Sequence, residues 1–198
     1  MLYLPEPRFL KRYKVLAWPL PPRLLPWMMQ ERGLGIYVLP QNQEDAWKLI
    51  QRQFGDKRNK LRGDSRKTTE VAHYRPKEKV IIMPYKAFVR SNNNPFLHEI
   101  GHAVDFLYVK SGKKFSSFDG VRASLHPDKP FDSYCSKKDK KSGALLEQFA
   151  TGFAAYFKEP EVGLGELSVD DLSSDFIRIM GSKILKPFKG KSRERKQS

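Results

Sequence analysis

The sequence predicts a single α+β domain, with a small twisted sheet built early in the chain and helices following it. Two observations carry this reading. Short apolar runs rich in β-branched residues and bounded by Gly or Pro, at 35–40 and 79–83, have the length of strands. Beyond residue 92 the apolar residues recur instead at helical spacing over longer stretches. With 39% hydrophobic and 12% aromatic residues in 198, the chain can fill one core and is not disordered throughout.

Taken in order, residues 1–21 are Pro-rich and read as an extended N-terminal extension lying over the body. Residues 22–30 form a weak helix with Pro26 inside it, ending near Gly33. The run at 35–40 is a buried strand. Asn42 then caps a helix whose stripe is Ala46, Trp47, Leu49, Ile50 and Phe54, stopped by Gly55. Residues 68–74 and 79–83 read as two strands joined by the turn at 75–78. Asn92, Asn93 and Asn94 offer an N-cap, Pro95 suits the first turn, and that helix runs to about residue 109. The polar segment 111–141 shows little periodicity and reads as a long loop. Residues 143–157 are helical and end before Pro160. Ser168 with Asp171 opens a last helix to about residue 185. The expected organisation is an extension over 1–21, a folded domain over 22–185 and a basic, disordered tail over 186–198.

Charge narrows the partners. Lys and Arg number 37 against 22 Asp and Glu, a net +15, with concentrations at 57–67, 137–141 and 183–196. Such a surface favours acidic partners, yet no helix-turn-helix, ribonucleoprotein or zinc-finger pattern accompanies it, so no specific nucleic-acid partner is expected. One cysteine, Cys135, excludes an intramolecular disulfide framework and a multi-cysteine zinc knuckle. No apolar run reaches the ~18 residues of a membrane-spanning helix. Prolines at 19, 21, 22 and 26 interrupt the only candidate signal region. Cytoplasmic residence is the default expectation, with leaderless export left open; the oligomeric state is not legible.

The chemistry concentrates in the helix after Pro95, which contains His98-Glu99-Ile100-Gly101-His102. Histidines at i and i+4 lie on one face, close enough for both imidazoles to reach one tetrahedral zinc ion at about 2.0–2.1 Å. Glu99 lies about 100° further round, within reach of a zinc-bound water. Phe96, Leu97, Ile100, Ala103, Val104, Phe106 and Leu107 make the helix apolar nearly all round, so its charged groups need a partner inside the protein. Gly101 leaves room beside the ligands. A third ligand must come from downstream, and Tyr108 stands where a metzincin would place its third histidine. His126 lies in the irregular segment. Glu147 is better placed, as the one carboxylate in the first two turns of an apolar helix striped by Leu146, Phe149, Ala150 and Phe153. Its alternative role is that of an acidic residue favoured by the helix macrodipole.

Together, His98-Glu-Ile-Gly-His-Ala-Val-Asp105 and Glu147-Gln-Phe-Ala-Thr-Gly-Phe153 resemble the catalytic domain of anthrax toxin lethal factor and the Pro-Pro endopeptidases. The resemblance is strongest over 95–157. It implies a zincin-like fold, with the sheet packed on an active-site helix and a third-ligand helix. It further implies one Zn2+ per chain held by His98, His102 and Glu147, and Glu99 as general base. The family's Ser-Tyr step matches Ser133-Tyr134, which implies Tyr134 as the oxyanion donor, although it precedes Glu147 by more than is usual. Thr151 stands where the family often has a carboxylate that orients a ligand histidine, and Asp105 is the candidate to share that role.

The expected activity is zinc-dependent endopeptidase hydrolysis of a protein or peptide substrate, acidic ones being favoured by the basic surface. An edge strand, either 68–74 or 79–83, would hold the peptide extended. Three other readings stay open. They are a cytosolic regulatory peptidase resembling ImmA, a silent zincin-fold binding or toxin-like module, and a basic nucleic-acid-binding protein with a chance motif.

Overall fold

A computed structural model describes residues 1–55, 71–90, 94–109, 113–125, 145–157 and 172–188. Its architecture is α+β, with helices around a four-stranded mixed sheet. The strands are β1 (Leu2–Tyr3), β2 (Gly35–Val38), β3 (His73–Arg75) and β4 (Val80–Met83). They lie in the order β1-β2-β4-β3, with β2 parallel to both β1 and β4, and β3 antiparallel to β4. Both central strands are buried on both faces, as continuous apolar runs in parallel pairs require. Their alternation sorts two cores. Ile36, Val38, Ile81 and Met83 join the main core, whereas Tyr37, Val80 and Ile82 face Ala46 and Ile50. These last two residues belong to α3 (Gln43–Phe54), where Asn42 caps the helix by accepting from the N–H groups of Glu44 and Asp45.

The N-terminal residues depart from the extended reading. β1 pairs with β2, and α1 (Phe9–Ala17) buries Phe9 and Leu16, with Leu20 buried just beyond. Pro5 and Pro7 precede this helix and Pro19 follows it, so the prolines bracket an element rather than pervade the segment. Helix α2 (Leu24–Glu31) ends at Gly33, whose φ of +73° turns the chain so that the Leu34 N–H reaches the Met28 carbonyl. A helix absent from the sequence reading, α4 (Tyr85–Arg90), follows Pro84 and buries Phe88.

Helix α5 (Asn94–Leu107) carries the histidine motif and lies under β3 and β4. The segment read as a long loop holds structure in its described part: a 3-10 turn at Phe115–Ser117 and α6 (Asp119–Ser124), with Phe115, Val121 and Leu125 buried. Helix α7 (Leu146–Phe157) packs along α5. Helix α8 (Ser174–Ile179) begins after Ser173, whose hydroxyl accepts from the Phe176 N–H at 3.1 Å. Residues 168–171, where the sequence placed this cap, lie outside the described residues, but Leu172 and Ser173 are not helical. The helix continues with π-type bonding over Met180–Leu185 and a final turn at Lys186–Phe188. Phe188 packs on Trp27 at a ring distance of 5.0 Å, so the expected tail is anchored at its start; residues 189–198 lie outside the described residues.

Candidate metal centre

The centre is built where α5 crosses α7. A Cβ on Gly101 would lie 2.8 Å from the Ala150 Cα, 3.1 Å from its carbonyl oxygen and 3.1 Å from the Phe153 Cβ. Only a glycine permits this approach. The sequence reading gave Gly101 the task of clearing space beside a metal; its structural task is to let α7 come close enough for Glu147 to reach both histidines.

The three side chains expected as ligands converge. One ligand atom from each of His98, His102 and Glu147 lies within 4.8 Å of the others. Glu147 Oε2 is 3.3 Å from His98 Nε2 and 3.5 Å from His102 Nε2. The two imidazoles sit nearly perpendicular, ring centres 4.7 Å apart, as i, i+4 neighbours on one helical face. All three side chains retain a small solvent exposure, between 14% and 23%, so the centre opens to solvent on one side.

The donor set is compatible with a metal ion. Ligand atoms at about 2.0–2.1 Å from one tetrahedral centre lie about 3.3–3.4 Å apart, close to both observed carboxylate–imidazole separations. Two imidazole nitrogens with one carboxylate oxygen also form the ligand chemistry that leaves a fourth position for water.

Electrostatics tie the group together. Burial opposes ionisation of Glu147, but hydrogen bonds from His102 and His98, with their charge, prevail and hold its carboxyl well below the usual range. For His102, burial disfavours the imidazolium, yet the Glu147 hydrogen bond and the charges of Glu99, Glu147 and Asp105 raise its pKa. Glu99 is buried, with 7% of its surface exposed, and stands next to His98 in the chain.

Asp105 is fully buried. Its Oδ1 accepts the Ser116 N–H at 2.6 Å and its Oδ2 accepts the Ser116 hydroxyl at 3.1 Å. Burial pushes its pKa up, against the lowering effect of these two bonds. Both oxygens are thus engaged by Ser116, and Asp105 acts on His102 through its charge while tying the 3-10 turn to α5. Sequence reasoning missed Ser116, which lies in a polar stretch without any distinguishing pattern.

Of the two strands considered for holding a peptide, the one at 79–83 is excluded. β4 lies inside the sheet, bonded to β2 on one side and β3 on the other. β3 is the edge, and Tyr74 on it packs against Phe106 of α5 at 5.8 Å. Tyr134, His126 and Cys135 lie outside the described residues, as do residues 68–70 of the strand expected at 68–74. Among the described residues, no helix is long and apolar enough to cross a membrane. No family model matches this chain, and no curated protein or solved structure matches it either.

Proposed function

We propose that the protein is a zinc-dependent endopeptidase of the kind its motifs resemble, the lethal factor catalytic domain and the Pro-Pro endopeptidases. The observation that carries this reading is the convergence of His98, His102 and Glu147, with the Glu147 carboxylate close to a tetrahedral-edge distance from each imidazole and Glu99 buried beside His98. His98 Nε2, His102 Nε2 and a Glu147 carboxylate oxygen would hold the ion. Bound there, zinc would polarise the scissile carbonyl and bring the pKa of a water towards about 7.

The chain's own residues do the rest. Glu99 takes the proton of the attacking water and passes it to the leaving amine, a role typically worth about 10²–10⁴-fold. Tyr134 is the candidate donor to the developing oxyanion. The outer edge of β3, unpaired among the described residues, would align an extended peptide through backbone hydrogen bonds, and the net charge of +15 favours acidic segments.

The test is purified protein analysed for metal and assayed on a peptide library. One zinc per chain and cleavage lost in Glu99→Gln at full zinc occupancy are expected. Equal cleavage by both proteins at full occupancy refutes the mechanism, and absence of stoichiometric zinc refutes the centre.

A further inference from the structure

Away from the metal centre, the outward face of α1 is unlike an ordinary solvated helix. Phe9, Tyr13 and Leu16 turn inward, with Phe9 against Tyr85 and Phe88 and Tyr13 edge-on to Phe96. The opposite side carries Leu10, Lys14, Trp18, Lys11 and Val15, all exposed. At about 100° per residue these five fall in one arc of roughly 140°, in that order, with Trp18 near its middle. Leu10 is 44% exposed, Val15 55% and Trp18 80%, unusual for three large apolar side chains on one short face. No acidic residue occurs between Phe9 and Trp18, and among the described residues neither lysine of the arc has an ion-pair partner.

We infer that this face of α1 docks on an anionic lipid surface. Its chemistry is that of a helix lying in a membrane interface: a tryptophan at headgroup depth, aliphatic flanks that can enter the acyl boundary, and lysines between them whose stems bury while their ammonium groups stay out. The net charge of +15 supplies long-range attraction to the same surface. Phosphate contact alone, as on nucleic acid, would leave Leu10 and Val15 without a use. Helix α1 is held for the task, because Arg12 Nε donates to the Phe88 carbonyl at 3.0 Å and the inward face is part of the core.

The full chain is tested by flotation with vesicles of phosphatidylcholine, alone or with about a third phosphatidylserine. Binding is expected only to the anionic vesicles. Trp18→Ser should weaken it by at least about tenfold, and Lys11→Glu with Lys14→Glu by at least about 25-fold, each lysine near an anionic surface being worth about fivefold. Leu10→Ser with Val15→Ser is a second, independent variant of the apolar flanks, and circular dichroism checks that each variant stays folded. Wild-type partition in folded Trp18→Ser and Leu10→Ser/Val15→Ser variants overturns the inference, since lipid is then bound by another basic face. Loss of duplex DNA binding in these variants, with no vesicle binding by the wild type, overturns it in favour of a nucleic-acid interface. A concentration-dependent dimer abolished by Trp18→Ser, again without vesicle binding, assigns the face to a second copy.

Discussion

Replacing Gly101 by alanine tests whether helix approach sets the metal geometry. The new Cβ would meet the Ala150 Cα at 2.8 Å, whereas carbon atoms rest at about 3.5–4.0 Å. The obstacle is backbone, so no side chain can rotate away; α5 and α7 must part or slide by about 1 Å. Overpacking of this kind costs about 1–3 kcal/mol, offset by up to ~1 kcal/mol from the better helix propensity of alanine. The metal-free protein should therefore lose no more than about 3 kcal/mol. Zinc binding should suffer as well, because His98 and His102 sit on one helix, Glu147 on the other, and ligand distances tolerate only about ±0.2 Å.

A 100-fold loss of affinity removes about 2.7 kcal/mol of ligand-linked stabilisation at saturating zinc, or roughly 5–11 °C in a chain of this size. The assay is the rise in thermal transition on adding zinc to chelator-stripped protein, measured for wild type and Gly101→Ala. A full wild-type rise in the variant, with unchanged stoichiometry, would show that the Gly101–Ala150 contact does not govern the centre.

Three other outcomes follow from the same geometry. Glu99→Gln leaves every proposed ligand in place, so it should retain zinc and the thermal transition while cleavage falls by at least about 10²-fold; loss of metal by this variant would make Glu99 a ligand instead. Asp105→Ala leaves the buried Ser116 N–H without its acceptor and should destabilise by about 1–3 kcal/mol, read by urea unfolding; an unchanged midpoint would mean that water replaces the carboxylate. In the metal-free protein the raised pKa of His102 contributes stability that is fully present below its ordinary 6.5 and is lost as pH rises through the raised value. The depressed pKa of Glu147 works at the other end, contributing stability above the ordinary 4.5 that is lost in acid. Metal-free stability should thus peak at weakly acidic pH, while the stabilisation conferred by zinc grows with rising pH as the imidazoles give up their protons. Thermal transitions across pH with and without zinc check both slopes, and a zinc effect that shrinks upward in pH would contradict the assigned ligands.

The site was more legible in the sequence than the frame that holds it. Glu147 stood out because a lone carboxylate early in an apolar helix needs a reason, and the structure brings it to His98 and His102. The Asn42 cap and its helix were legible because the signal is local and complete within a few residues. Helix α4 was not, since its six residues are too few for a period to register. Helix α1 was obscured by flanking prolines, although Phe9, Tyr13 and Leu16 have helical spacing. The burial of β4 inside the sheet depends on pairing with β2, a non-local choice that no pattern within 79–83 encodes. The Asp105–Ser116 pair and the Gly101–Ala150 contact are likewise relations between elements, and residue types alone carry no record of them.

Charge placement gives the strongest physical reason for a cation at this centre. A chain with a net charge of +15 has bases to spare at its surface, yet among the described residues the buried charged ones are Glu99 and Asp105, both on the helix that carries the histidines. Glu147 approaches from α7 and adds a third carboxylate to the same neighbourhood. Ser116 engages Asp105, while His98 and His102 lie against Glu147. Removing carboxylates from water is costly unless positive charge accompanies them; the two histidines are placed to supply it to Glu147, and the charge of Lys114 acts on Asp105 beside that of His102. A proton shared with Glu147 provides one unit of charge, as the raised pKa of His102 expresses. A divalent ion provides two, and leaves both imidazoles neutral as ligands. An arrangement that would be a liability in a merely structural core is one that a bound divalent cation would relieve.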